Sequence, residues 1–138
     1  MLGWTAPLRV TRSATTSDRA RLALVVWCVL VSQVVLYPGL AETVTALGGA
    51  DDILAGTWFL GAEFGAFVAC AVVWGALSDS LGARTPLVVI GAAGGAGSYL
   101  AVAAAPMVGV GFTVVLLLRA VGGAFTIGAF SLSITMLM

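Results

Sequence analysis

The sequence predicts an all-α fold, a polytopic bundle of four transmembrane helices, and three observations predict it. Apolar residues fill 61% of the 138 positions and charged residues only 9%. With a mean hydropathy of +1.14, this lies far from soluble domains, in which about a quarter of residues are charged. Apolar runs of about twenty residues recur, the length that a helix rising ~1.5 Å per residue needs to cross ~30 Å of hydrocarbon. The polar residues gather between those runs.

The same composition removes several classes of function. Arg9, Arg12, Arg19, Arg21, Arg84 and Arg119 balance Asp18, Glu42, Asp51, Asp52, Glu63 and Asp79, so the formal charge is zero and there is no nucleic-acid footprint. Histidine and lysine are absent, and Cys28 and Cys70 lie far apart in apolar runs. They read as buried free thiols, and neither a disulfide framework nor a zinc site has its residues. The serines have no base nearby, which argues against nucleophilic catalysis, and no enzyme activity is expected. The glycine run 91–97 lacks the lysine and strand of a phosphate cradle, so it reads as helix packing and no cofactor is expected.

Residues 1–20 form a polar tail, and 21–138 the membrane domain, with helices expected at about 22–41, 53–77, 86–105 and 108–135. Ser17 and Asp18 offer an N-cap for the first helix. A signal peptide fits less well, because the apolar core is long and no small-x-small cleavage site follows. Pro38 and Gly39 should kink or loosen the far end of this helix. An acidic, glycine-containing loop follows over 42–52, and Asp51 and Asp52 suit the cap and first turn of the second helix. That helix carries Glu63. A polar turn at 75–87 leads to Thr85 and Pro86 as N-cap and first residue of the third helix. Pro106 marks a short turn, and the last run carries Arg119.

Arginines flank the first run and the 75–87 turn, whereas the first intervening loop holds only acids. The positive-inside rule therefore places the N-terminus in the cytoplasm of a multi-pass cell-membrane protein. Gly61 with Gly65, Ala71 with Gly75 and Gly91 with Gly95 recur at the spacing that lets helices approach closely. Trp58 and Trp74 suit interface anchors at the two ends of the second helix; Trp4 and Trp27 have no assigned role beyond anchoring or packing. Glu63 and Arg119 are the costliest placements, since a charge at the bilayer centre is penalised by ~3 kcal/mol or more unless paired or facing water. Both lie ~15 Å from the same side of the membrane. A midplane pair, or one aqueous cavity shared by both, is expected, with Glu63 able to take up a proton.

At 75–87 the residues Gly75, Leu77, Asp79, Gly82, Arg84 and Leu87 fall in the order G-x-L-x-D-x-x-G-x-(R/K)-x-x-L. This resembles the signature turn between helices two and three of the major facilitator superfamily (MFS) of transporters. Ser80 and Ala83 stand where that family usually has basic residues. Arg119 to Gly123 resembles the family's fourth-helix R-x-x-(Q/G)-G, with Gly122 in place of the commoner Gln. The resemblance implies the first four helices of an N-terminal half of an MFS fold, and a secondary-active transporter that moves a small solute by alternating access. It also implies a gating role for Gly75, Leu77, Asp79, Gly82 and Arg84, with Asp79 latching onto the opposing half, and a place for Arg119 on a transport path coupled to protons. Glu63 and Gly123 join Arg119 as candidates for that path.

Members of that family have twelve or more spans, so this chain is expected to be an N-terminal fragment whose partners are the lipid bilayer, a small-molecule substrate, protons, and either a missing C-terminal half or a second copy. Asp79 lies at the negative end of its helix dipole and needs a cation, for which Arg84 is one candidate. Two alternatives stay open. One is a compact dimeric four-helix exporter resembling the small multidrug resistance proteins, although their membrane acid lies in the first helix. The other is a non-transporting assembly protein or remnant.

Overall fold

The computed structural model describes residues 15–35, 37–50 and 52–138. The order of elements is α1 (Thr16–Val35), a 3-10 turn (Tyr37–Gly39), α2 (Leu40–Ala46), α3 (Ile53–Leu81), α4 (Arg84–Val108) and α5 (Phe112–Leu137). Helices α3, α4 and α5, of 29, 25 and 26 residues, are each long and apolar enough to cross a membrane. A fourth span exists only if α1 and α2 count as one bent unit. The expectation of an all-helical chain with long apolar spans therefore holds among the described residues, whereas of the four expected spans three stand as single helices and the fourth only as the bent α1–α2 pair.

Local chemistry explains where these helices begin and end. Thr15, rather than Ser17, caps α1: the Asp18 amide donates to Thr15 Oγ1 and the Thr15 amide donates back to Asp18 Oδ2, both at 3.3 Å. This is a reciprocal box in which side chains satisfy amides that the first turn leaves without carbonyls. The break expected at Pro38 and Gly39 is present, but α1 stops at Val35 and residues 40–46 wind again. Glu42 consequently stands in the first turn of α2, not in a loop. Asp52 caps α3, accepting from the Ala55 amide at 2.6 Å; Asp51 lies outside the described residues.

Helix α3 runs four residues beyond the expected end, because nothing breaks it before Gly82. There the backbone turns left-handed, at φ +61°, and the Gly82 amide closes the helix on Ser78 O at 3.0 Å. Gly75, Leu77 and Asp79 are thus helical, and only Gly82 and Ala83 form the turn. Ala83, not Thr85, is the N-cap of α4, and Pro86 falls in a first turn whose amides have no intrahelical acceptor anyway. Pro106 is not a turn either: it sits in the last turn of α4, which ends at Gly109 with φ +69°.

Helix α5 is the hub. It packs against α4, α3 and α1, whereas α3 and α4, neighbours in sequence, hardly touch. Small residues make this possible. A Cβ on Gly91 would stand 2.6 Å from the Ala129 amide, and one on Gly95 would stand 2.7 Å from Thr126 Oγ1. A Cβ on Gly128 would run into the Trp74 indole at 2.5 Å. Ser98 donates to the Leu118 carbonyl, and Trp74 Nε1 donates to the Ala124 carbonyl at 2.6 Å. Trp74 is therefore a packing residue and not an interface anchor, because its N–H finds an acceptor inside the bundle; Trp58 stays exposed. Of the residues in the three small-residue pairs, Gly91 and Gly95 lie at a helix contact and Ala71 packs against the Trp74 cluster, whereas Gly61, Gly65 and Gly75 have nothing beside them. Cys28 is exposed and Cys70 half-buried, and both are free thiols. Cys28 is not buried because none of the side chains of α1 is.

Candidate functional site

Two apolar clusters flank a polar layer. Val44, Leu47, Phe59, Val102 and Val115 pack at the α2 end, and Trp74, Leu87, Val88, Ile127 and Leu132 at the other. Between them along the chain come Glu63 on α3, Tyr99 on α4 and Arg119 on α5, joined by Gln33 of α1. Each of the four long helices contributes one polar side chain.

Glu63 is the centre of this layer. Arg119 Nη2 donates to its Oε2, and the Tyr99 hydroxyl donates to Oε1. Gln33 Nε2 reaches Glu63 Oε1 and the Tyr99 oxygen, both at 2.9 Å. Exposure is 0% for Glu63 and 2% for Arg119. The guanidinium carbon lies 4.6 Å from the Phe59 ring centroid and 5.2 Å from that of Tyr99, within the range of cation–π attraction. Pairing, three hydrogen bonds and two aromatic faces together offset the desolvation of two charges, which Coulomb attraction alone often fails to do. The expected pairing of Glu63 with Arg119 is present. Arg119 Nε has no acceptor.

Gly123 explains how α5 comes so near. A Cβ at that position would overlap the backbone carbonyl of Glu63. One helical turn separates Arg119 from Gly123, so the glycine lets the backbones meet beside the side-chain pair.

No family model, curated protein or solved structure matches this chain. Function therefore has to be read from its own residues.

The remaining candidates from the sequence lie elsewhere. Leu77, Asp79 and Arg84 are exposed at the joint between α3 and α4, and Gly82 supplies its left-handed turn. Asp79 and Arg84 are not brought together: among the described residues the one ion pair is Glu63 with Arg119. The five-residue separation spans the Gly82 cap, which starts α4 in a new direction. Among the described residues no three His, Cys, Asp or Glu side chains gather as a metal set.

Gln33 and Tyr99 were not singled out by the sequence reasoning. The signal for Gln33 was available, since it is the one amide side chain in an apolar run, and buried amides seek partners. Tyr99 carried little signal, because a tyrosine in a spanning helix equally suits an interface.

Two cavities adjoin the layer, and Tyr99 lines both. One, of about 330 Å³, is bounded by Thr43, Leu47, Phe59, Val102, Pro106 and Arg119. The other, of about 300 Å³, lies between α1, α4 and α5 and is bordered by Val25, Cys28, Ser32, Gly95 and Thr126. The geometry is a buried ion-paired layer with space on two sides.

Proposed function

We propose that this chain belongs to a secondary-active transporter of the major facilitator type, in which a small solute crosses by alternating access and Glu63 carries the coupled proton. The observation that carries the reading is the Gln33–Glu63–Tyr99–Arg119 layer. Ionisable side chains inside spanning helices are costly, and they commonly mark substrate paths and proton relays. Protonating Glu63 would remove the charge attraction to Arg119 while the bonds from Tyr99 and Gln33 still position the acid. The order of residues in the 75–87 turn and at Arg119 to Gly123 supports the family.

In this reading the chain sits in the cell membrane with its N-terminus and the Gly82 turn cytoplasmic, and Gly75, Leu77, Asp79, Gly82 and Arg84 form a gate. Exposed Asp79 and Arg84 are then free for an opposing half or a second copy. No enzymatic step is invoked.

The test is solute-dependent proton movement in vesicles that contain the chain and an internal pH dye. Glu63→Gln is expected to slow it at least tenfold, and Glu63→Asp to slow it less. Full proton-driven transport by Glu63→Gln would remove the coupling role. A second reading, an assembly component without transport, draws on the open Gly61–Gly65 edge of α3, where another helix fits. It predicts no proton movement for any solute.

A further inference from the structure

Helices α1 and α4 both rest on α5 but scarcely meet each other, and a groove runs between them. Two cavities form it. The outer one, of about 530 Å³, lies where both helices begin and is walled by Asp18, Arg21 and Val25 of α1, Thr85 and Val89 of α4, and Met136 of α5. The inner one, of about 300 Å³, continues from Val25 past Cys28 and Val29 on one side and Ala92 and Ala96 on the other, and reaches Tyr99. Both charged side chains of the groove, Asp18 and Arg21, therefore stand at its mouth. Beyond them the walls are almost wholly apolar.

A molecule divided in the same way fits such a groove. Thr85 and Tyr99 stand ~21 Å apart along α4 at ~1.5 Å per residue, and one leaflet supplies ~15 Å of the ~30 Å hydrocarbon layer. That length holds one acyl chain with its glycerol linkage. A helix ~10 Å across would fill roughly 1,200 Å³ over ~16 Å of length, several times the inner cavity, and would ride on its rim. At the mouth, Arg21 is exposed and makes no ion pair among the described residues, and Thr85 brings a hydroxyl. A guanidinium matches phosphate oxygens with paired N–H donors. Asp18, on the same wall, accepts from the Thr15 hydroxyl and amide. Its charge favours a phosphate with one negative charge over one with two, because repulsion grows with charge.

We infer that the groove between α1 and α4 binds one diacyl phospholipid with a phosphodiester headgroup, the phosphate on Arg21 and Thr85 and one acyl chain in the inner cavity. The inference does not use the transport reading and stands without it. The bound lipid joins two helices that otherwise share only α5. Helix α1 buries none of its own side chains, so a chain laid along it adds contacts that the protein alone does not supply. A ligand that binds only the folded chain also stabilises it.

The experiment is native mass spectrometry of the full chain, released from detergent micelles after titration with three probes. These are dioleoyl phosphatidylglycerol, dioleoylglycerol, which has the same chains without phosphate, and glycerophosphoglycerol, which has the phosphodiester without chains. One phosphatidylglycerol is expected to stay on each chain, and the other two probes to bind at least tenfold more weakly. Arg21→Ala is expected to weaken phosphatidylglycerol at least fivefold and to leave dioleoylglycerol unchanged. Ala92→Phe and Ala96→Phe, which fill the inner cavity from an exposed wall, are expected to do the same to phosphatidylglycerol. Ala93→Phe, exposed but outside the groove, is expected to change nothing. A phosphatidylglycerol with a diazirine at the end of one chain is expected to cross-link to α1 and α4 between Cys28 and Tyr99. Equal binding with and without the phosphate, or cross-links confined to α3, overturns the inference even if the Phe variants fail to fold. Tight binding of glycerophosphoglycerol also overturns it, by marking a site for a free phosphodiester. So does a lipid-free dimer whose groove the diazirine does not reach, which would make a helix of a second copy the occupant.

Discussion

Gly123 and Glu63 form the tightest point of the molecule, and there a single methyl group matters. An alanine Cβ would overlap the Glu63 carbonyl, and backbone cannot rotate away as a side-chain tip does. Gly123→Ala is therefore expected to destabilise by about 1–3 kcal/mol, the usual cost of overpacking, and to pull Arg119 off Glu63. Gly61→Ala meets nothing within 4 Å and serves as the control. Thermal unfolding in detergent checks both, and an unchanged midpoint for Gly123→Ala would contradict the close approach. The Glu63–Arg119 pair was legible at this scale, since two lone charges at one depth in lipid leave few alternatives to pairing. Gln33 and Tyr99 were not, because neutral polar side chains in spanning helices have many satisfactory places.

At the scale of elements, caps decide boundaries. Asp52 accepts from the Ala55 amide at 2.6 Å, so Asp52→Ala is expected to cost about 1 kcal/mol and Asp52→Asn a few tenths at most. Equilibrium unfolding in mixed micelles measures the difference; equal effects would mean that charge near the helix terminus, rather than the cap bond, stabilises α3. Sequence located the Asp52 cap and the Pro38 break, but not Gly82 and Gly109 as the residues that stop α3 and α4. It placed the end of α3 too early because Ser78, Asp79 and Ser80 look like a turn. In the structure Ser80 donates to the Leu77 carbonyl at 2.9 Å, and winding continues to Gly82. Trp74 was misplaced for a related reason: hydropathy gives a position along a helix, not the direction in which a side chain points.

For the whole molecule, the lipid-facing surface follows from α5 being the hub. Val68, Val72, Leu100 and Leu117 are largely exposed, which suits hydrocarbon as solvent and would be an aggregating patch in water. Helices of 25 to 29 residues span ~38–44 Å, enough to put the joints at residues 47–50 and 82–83 on opposite faces. With Cys28 and Cys70 changed to alanine, single cysteines at Ala50 and Ser80 are expected to react with a membrane-impermeant maleimide from opposite sides, Ser80→Cys from the cytoplasm. Labelling of both from one side would rule out α3 as a complete span, and reversed sides would overturn the orientation given by the arginines.

The sequence alone determined that this chain is helical with long apolar spans, that one of them starts at the Asp52 cap, and that Glu63 and Arg119 must find partners. Those properties follow from short-range chemistry: apolar runs in a solvent that cannot bond the backbone, glycine and proline geometry, and the cost of a lone charge. Tertiary structure decided that α5 and not α3 is the centre, that Gly91 and Gly95 are buried while Gly61 and Gly65 are open, and that Gln33 and Tyr99 complete the polar layer. Those choices depend on which face of each helix meets which neighbour. Between spans of uniform apolarity the hydrophobic pattern does not encode the face, and close packing of small residues does.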